Sequence, residues 1–289
     1  MNAPYGGQSA IIQPRRIFSQ GPNLILLDCR PLDDYEFCHI AGAVHADTES
    51  DLSAASTPGH HPRNGGRHPL PTIANWQARL RSWGVQNDSR VLVYDDAHGA
   101  EGAARAWWML TASGINAAVL DGGWGGAVKA RVPIDEEIPQ PTKSDFTFDH
   151  WLLPTVDIES VDKLRQDPEW LLLDARAPER WAGITEPFDP IAGRIPGSKN
   201  IFYRENLDGD SFKKPQELRE MYLKALGKTP PHKVIASCGS GMTGCHTLLA
   251  MHIAGLEGGA LYIGSFSEWC RNREDVGTEK SDNVAMPNQ

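Results

Sequence analysis

Basic side chains are the minority in this chain: 28 Lys and Arg stand against 37 Asp and Glu, a formal net charge of -9. A surface that neutralises phosphates needs the reverse balance, so no nucleic-acid partner is expected. Long apolar runs are missing too. None reaches the roughly 18–20 residues needed to span a bilayer, so no membrane partner is expected. The segment from Met1 to Arg16 lacks a basic stretch followed by a long apolar core, and no secretory signal is expected. Cysteine is scarce. Cys29, Cys38, Cys238, Cys245 and Cys270 form an odd, scattered set of five, which does not suit a disulfide framework. No pair has the short Cys-x-x-Cys spacing of a zinc site. The expectation is reduced thiols in a cytoplasmic protein. With 40% hydrophobic and 22% charged residues the composition is that of an ordinary globular protein. At ~100–200 residues per domain, 289 residues favour two domains.

What is present is an internal repeat. Asn23-Leu-Ile-Leu-Leu-Asp-Cys-Arg30 reads as a buried strand ending in Asp28 and Arg30, and Trp170-Leu-Leu-Leu-Asp-Ala-Arg176 does the same with Asp174 and Arg176. A Gly turn follows each, His39-Ile-Ala-Gly-Ala43 and Arg194-Ile-Pro-Gly-Ser198. Next come Arg90-Val-Leu-Val-Tyr-Asp95 and Lys233-Val-Ile-Ala-Ser-Cys238, continuous apolar runs of the kind found in parallel strands buried on both faces. Each leads into a helix ending at a glycine, over 103–114 and 245–255. Short strands at 117–120 and 260–263 then run into Gly122-Gly-Trp124 and Gly264-Ser-Phe-Ser-Glu-Trp269. Alternating strands and helices imply α/β domains, each with a mostly parallel sheet flanked by helices on both faces. The repeat separation, roughly 140–150 residues, is too long for a solenoid unit. Val132-Pro-Ile-Asp-Glu-Glu-Ile-Pro-Gln-Pro-Thr142, rich in Pro and acid, reads as an extended linker.

The chemistry sits in Val234-Ile-Ala-Ser-Cys-Gly-Ser-Gly-Met-Thr-Gly-Cys245. A thiol at the carboxyl end of a buried strand, just before a helix, occupies the place where open α/β sheets bind ligands. Gly239, Gly241 and Gly244 let the backbone turn its amides toward one point as an anion nest. The helix N-terminus adds its positive dipole. Both favour thiolate over thiol and make Cys238 a candidate nucleophile. The corresponding position in the first half is Asp95, followed by Asp96, whose carboxylates would repel an anion. The first half is therefore expected to be catalytically silent. A Cys-x5-Arg phosphatase is disfavoured, because the position six after Cys238 is Gly244.

Cys238-Gly-Ser-Gly-Met-Thr243 resembles the active-site loop of the rhodanese superfamily, in the form carried by its mercaptopyruvate sulfurtransferases. Rhodanese-type thiosulfate enzymes usually carry basic residues in this loop. The Asp-x-Arg strand ends, Ile195-Pro-Gly197, Arg105-Ala-Trp-Trp108 and the 264–269 turn extend the resemblance over nearly the whole chain. Met242 stands where Val is usual, Gly244 where Ala is common, and Arg194 where His often precedes Ile-Pro-Gly.

The resemblance implies two tandem rhodanese-like domains, a silent one over residues 10–135 and a catalytic one over 156–280, with a linker at 136–155. It implies sulfur transfer through a Cys238 persulfide, from 3-mercaptopyruvate or thiosulfate to cyanide, a small thiol or a reduced protein thiol, with no metal or organic cofactor. A persulfide carrier or sensor without small-donor turnover is the non-enzymatic alternative. Arg180 is implied to bind the donor's anionic end, a task that suits a guanidinium fork. Gly239, Gly241, Met242 and Thr243 line the site by the same implication. A second Arg is sought in the 185–194 stretch, where only Arg194 is available and a structural place suits it better. Ser240 is implied to act with a His and a carboxylate of the first domain; the matching residues are His68 and Glu49 or Asp47, although His60, His61 and His68 lie in a polar Gly/Pro loop where histidines are often merely solvated. Thr243 caps the helix or bonds the sulfur, and Cys245 is either a core residue or a thiol able to resolve the persulfide.

Overall fold

The computed structural model describes residues 9–278. The first eight residues of the N-terminal segment and the last two of the second expected domain lie outside the described residues. The repeat folds as two five-stranded sheets, parallel throughout. From edge to edge the first runs Ile11–Ile12, Asn116–Leu120, Arg90–Tyr94, Leu24–Asp28, Val44–His45. The second runs Thr155–Val156, Ala260–Tyr262, Val234–Ser237, Leu171–Asp174, Lys199–Asn200, the same order with the same chain connections. Strands Arg90–Tyr94 and Val234–Ser237 are buried at every residue, as their unbroken apolar runs require.

The Asp-x-Arg strand ends are duplicated down to their bonds. Arg30 grips Asp28 with Nη2 at 2.6 Å and lies over Trp124, while Arg176 grips Asp174 at 2.7 Å and lies over Phe266. Each arginine thereby ties the turn after one strand to the start of the helix after another.

Two helices form the seam between the domains. Ala103–Ala112 is buried at every position, and Thr243–Ile253 is buried from Gly244 to Met251. A helix without a polar face must be covered all round, and these two cover each other. Trp107, Trp108 and Met109 share one core with Cys245, Leu248 and Leu249. The helices end at Ala112 and Ile253, two residues before the glycines expected to close them, and the second begins at Thr243 rather than Cys245. No side chain caps that N-terminus, whose flanking residue is Met242, so the capping role considered for Thr243 is not made.

The linker is extended but not free. Ile134–Asp135 pairs with His39–Ile40, Arg81 Nε donates to the Phe146 carbonyl at 2.8 Å, and Trp151 packs on Trp108. It lies as a strap along the first domain, and the second sheet's edge strand already begins at Thr155. Among the described residues no helix is long and apolar enough to cross a membrane.

A buried histidine crosses the seam. His246 Nε2 donates to the His98 carbonyl at 3.1 Å, and its Nδ1 accepts from Asn206 Nδ2 at 3.0 Å. Phe212 stacks on the ring at 4.7 Å. Burial pushes its imidazole down from 6.5 to about 4, so it is neutral here. An unfolded chain takes up this proton near 6.5, whereas the folded protein refuses it until about pH 4. The unfolded state thus binds more protons in that window, and stability falls as pH falls through it, by on the order of 3 kcal/mol from this residue. Chemical denaturation at pH 7 and pH 4.5 should show part of the acid loss vanishing in His246→Gln; an unchanged loss would show that the buried imidazole does not contribute to it.

Candidate active site

Cys238 follows the last residue of its strand and is 2% exposed. Its own loop and the 265–266 turn hold it. Its amide donates to Ser265 Oγ at 3.0 Å, and its carbonyl accepts from Phe266 N at 3.0 Å. Its sulfur accepts from Gly241 N at 3.1 Å. Gly241 is needed twice over: its φ is +80°, and a Cβ there would sit 2.5 Å from the Ile263 carbonyl oxygen. Ser265 takes a left-handed φ of +51°, a conformation costly to any residue with a Cβ, and passes its own hydroxyl proton to the Tyr262 carbonyl at 2.8 Å. The matching residue of the first domain is Gly123, at φ +54°.

The histidine loop of the first domain closes over this site. Gly65 N donates to Glu268 Oε1 at 2.9 Å, Asn272 Nδ2 donates to the Arg63 carbonyl at 2.8 Å, and a Cβ on Gly66 would come 2.3 Å from the Gly264 carbonyl oxygen. Docked in this way, His68 is not a solvated loop histidine. Its Nε2–H donates to Glu49 Oε1 at 2.7 Å, because a carboxylate only accepts; its Nδ1 then accepts from the Ser240 hydroxyl, also at 2.7 Å. Burial holds the imidazole below its ordinary 6.5, against the pull of Glu49 and with Arg67 and Arg105 adding to the fall. The structure thus brings Ser240, His68 and Glu49 into one line beside Cys238. Asp47, the other acid considered, instead caps its own turn, accepting from Ser50 N at 2.7 Å.

Arg180 and a residue that sequence reasoning passed over, Arg67, flank the loop. A Cβ on Gly239 would lie 3.1 Å from Arg67 Nη2 and 3.2 Å from Arg180 Nη2, so the bare glycine admits both guanidinium groups. Both lie against the Phe188 ring, at 5.0 and 4.9 Å. Arg180 commits Nε and Nη2 to buried Glu186, at 3.2 and 2.7 Å. Arg67 faces Asp189 at 3.9 Å, too far for a hydrogen bond, and its Nε is a buried donor without a hydrogen-bond partner. No arginine of the 185–194 stretch lines the cleft; the second guanidinium beside the loop is that of Arg67, from the other domain. Arg194 is structural: it stacks on Trp181 at 4.1 Å and its backbone bridges to Gly277. The available signal for Arg67 was its place next to His68. Met242 and Thr243 complete the wall of a cleft of about 1050 Å³ that also reaches His98, Glu101 and Tyr203.

Cys245 is a core thiol. It donates to the Gly241 carbonyl at 3.2 Å, and burial pushes it up to about 12. Its protonated sulfur is unsuited to resolving a persulfide.

At the matching place in the first domain, Asp95 is fully buried. Oδ1 accepts from Ala97 N and Gly99 N at 3.0 and 2.7 Å; Oδ2 accepts from Glu101 N, Gly102 N and Ala103 N at 3.2, 3.1 and 3.1 Å. The carboxylate was expected to repel an anion; it does more, because it occupies the amide cradle itself.

Comparison with known proteins agrees with this geometry. The family model for the rhodanese-like domain matches twice, at residues 15–130 and 157–272. A probable 3-mercaptopyruvate sulfurtransferase of Pseudomonas aeruginosa is 39% identical over 259 residues, covering 86% of this chain and 89% of that protein. The thiosulfate sulfurtransferase of Cricetulus griseus is 34% identical over 269 residues, covering 87% and 86%. The structure of a 3-mercaptopyruvate sulfurtransferase from Leishmania major superposes with a TM-score of 0.79 at 27% identity, covering 92% of this chain and 75% of that one. Two matched domains, high identity over most of the length and a shared fold place the chain in one family: it belongs to the rhodanese-like sulfurtransferases.

Proposed function

We propose that the protein moves a sulfane sulfur from 3-mercaptopyruvate to a thiol or cyanide acceptor through a persulfide on Cys238. The observation that carries this reading is the hydrogen-bonded line from Ser240 through His68 to Glu49 beside the nucleophile. Thiosulfate has no use for it. Attack of the Cys238 thiolate on thiosulfate's outer sulfur breaks the S–S bond and releases sulfite without moving a proton. Attack on the thiol sulfur of 3-mercaptopyruvate breaks a C–S bond and leaves the enolate of pyruvate, whose carbon needs a proton. His68, neutral because its pKa is lowered, takes the donor's thiol proton through the Ser240 hydroxyl. Glu49 stabilises the transient imidazolium. The proton returns through Ser240 to the enolate carbon, and the products are pyruvate and the Cys238 persulfide anion. Gly241 N, which donates to the Cys238 sulfur, stabilises the attacking thiolate.

Charge fits an anionic donor without choosing between the two. Arg180 is paired with Glu186, which Arg176 also meets, and Asp189 is paired with Arg271 at 2.7 Å, so Arg67 is left to face the donor's anionic end. No Lys or Arg lies within the 238–243 loop itself. Gly239, Gly241, Met242 and Thr243 shape the donor's cleft around these groups. The five cysteines are all free, which fits a reducing cytoplasmic setting and a reduced protein thiol as acceptor. Thiosulfate remains the alternative donor, favoured by the relatives that bear its name. In this reading the first domain is silent because Asp95 fills its cradle, and it serves by lending Glu49, Arg67 and His68.

His68→Asn should lower kcat/KM for 3-mercaptopyruvate about 100-fold or more, the range of lost general acid–base catalysis, while thiosulfate turnover stays within about 3-fold. Equal losses with both donors in steady-state assays would sink the relay. Asp95→Ala strands several buried amides and should cost about 2–3 kcal/mol in urea unfolding; wild-type stability would show that the cradle does not need its anion.

A further inference from the structure

Arg105 lies in the fully buried helix of the first domain, one of the largest side chains with essentially no exposure. Among the described residues it makes no ion pair. A guanidinium is never deprotonated in a protein, so this is a permanent buried charge, and burying one without a carboxylate is costly unless every donor is met. It donates to three backbone carbonyls, and the Cys245 thiol lies against it as a further partner. Nε donates to Leu52 at 3.3 Å, Nη1 to Gly241 at 3.4 Å and Nη2 to His68 at 3.1 Å. Each carbonyl belongs to a different segment of the site. Leu52 closes the turn that carries Glu49, through Leu52 N to the Asp47 carbonyl at 3.0 Å. His68 is the imidazole's own residue. Gly241 is the residue whose amide bonds the Cys238 sulfur.

We propose that Arg105 is a positioning residue for sulfur loading: its planar fork holds the Glu49 turn, the His68 loop and the Cys238 loop in register across the seam. The proposal rests on the sulfurtransferase reading of the site. The helix supplies rigidity, because all its other positions are packed. The fork supplies divergence, because its three nitrogens point to three segments, which a lysine's single nitrogen does not reproduce. The charge also lies near Cys238 and the core thiol Cys245. Burial pulls its pKa down from the ordinary 12.5, and Cys245 and Cys238 oppose that fall. A misplacement of about 1 Å in such a frame costs about 100-fold in rate.

The test is single-turnover loading of Cys238 from 3-mercaptopyruvate and from thiosulfate, with melting temperature as a check on folding. The variants are Arg105→Lys, Arg105→Met, His68→Asn and the double Arg105→Lys/His68→Asn. Arg105→Lys, which keeps the charge and loses the fork, is expected to slow loading about 10-fold or more from both donors, because it releases Gly241 as well as His68. Arg105→Met is expected to be slower still, and if it fails to fold the lysine variant decides alone. With 3-mercaptopyruvate, the double variant is expected to be little worse than the worse single variant, as for residues acting as a unit. Wild-type loading by folded Arg105→Lys, or losses that simply multiply, would overturn the proposal. If His68→Asn alone has no effect, the relay fails, and Arg105 is still judged by thiosulfate loading.

Discussion

Two helices without a polar face, Ala103–Ala112 and Thr243–Ile253, bury each other at the centre of the molecule, and the geometry of the site is referred to that contact. One helix begins just after the Cys238 loop; the other begins just after the loop anchored by Asp95. Packing them together brings the carboxyl ends of two pseudo-equivalent strands to face one cleft. Residues far apart in sequence then meet: Ser240 and His68 are 172 positions apart, and His246 reaches His98 across 148. The second domain carries the thiol and the first carries the histidine, and packing the two together brings them to one site.

The two loops after the central strands solve one electrostatic problem twice. Converging amides and a following helix N-terminus favour a negative group. In the first domain the chain provides its own, the Asp95 carboxylate with five amide donors. In the second the equivalent residue is Cys238, whose sulfur takes the Gly241 amide and faces the cleft. Gly123 and Ser265 show how far the duplication goes. Both hold the same left-handed backbone, but the serine's Oγ fixes the amide of Cys238. The strain of a non-glycine residue is thus kept on the side where the thiol must be held.

The architecture was legible because it is written twice. Strand runs, Asp-x-Arg ends and glycine stops recur in register, and local pattern suffices to read them. Cys238 was legible for the same reason, as a thiol placed at a strand end before closely spaced glycines. His68 and Glu49 were reached only through the family resemblance, since a histidine in a polar loop has no local mark of its contacts. Arg67 was missed because the search for a second cation kept to the second domain, whereas the 60–68 loop docks across the seam. The carbonyl contacts of Arg105 were equally hidden, because hydrogen bonds to backbone leave no trace in side-chain pattern. Thr243 shows the opposite error: a good capping residue at a helix start is no evidence that the cap is made.

The central claim is that one sulfur atom is carried by one cysteine. Intact-protein and peptide mass spectrometry of the wild type and Cys238→Ser after brief exposure to 3-mercaptopyruvate without an acceptor tests it most directly. The account predicts that the wild type gains the mass of a single sulfur on the peptide containing Cys238, that an added thiol removes it, and that Cys238→Ser gains none. A stable gain on Cys245 or any other cysteine, or full loading of Cys238→Ser, would contradict it.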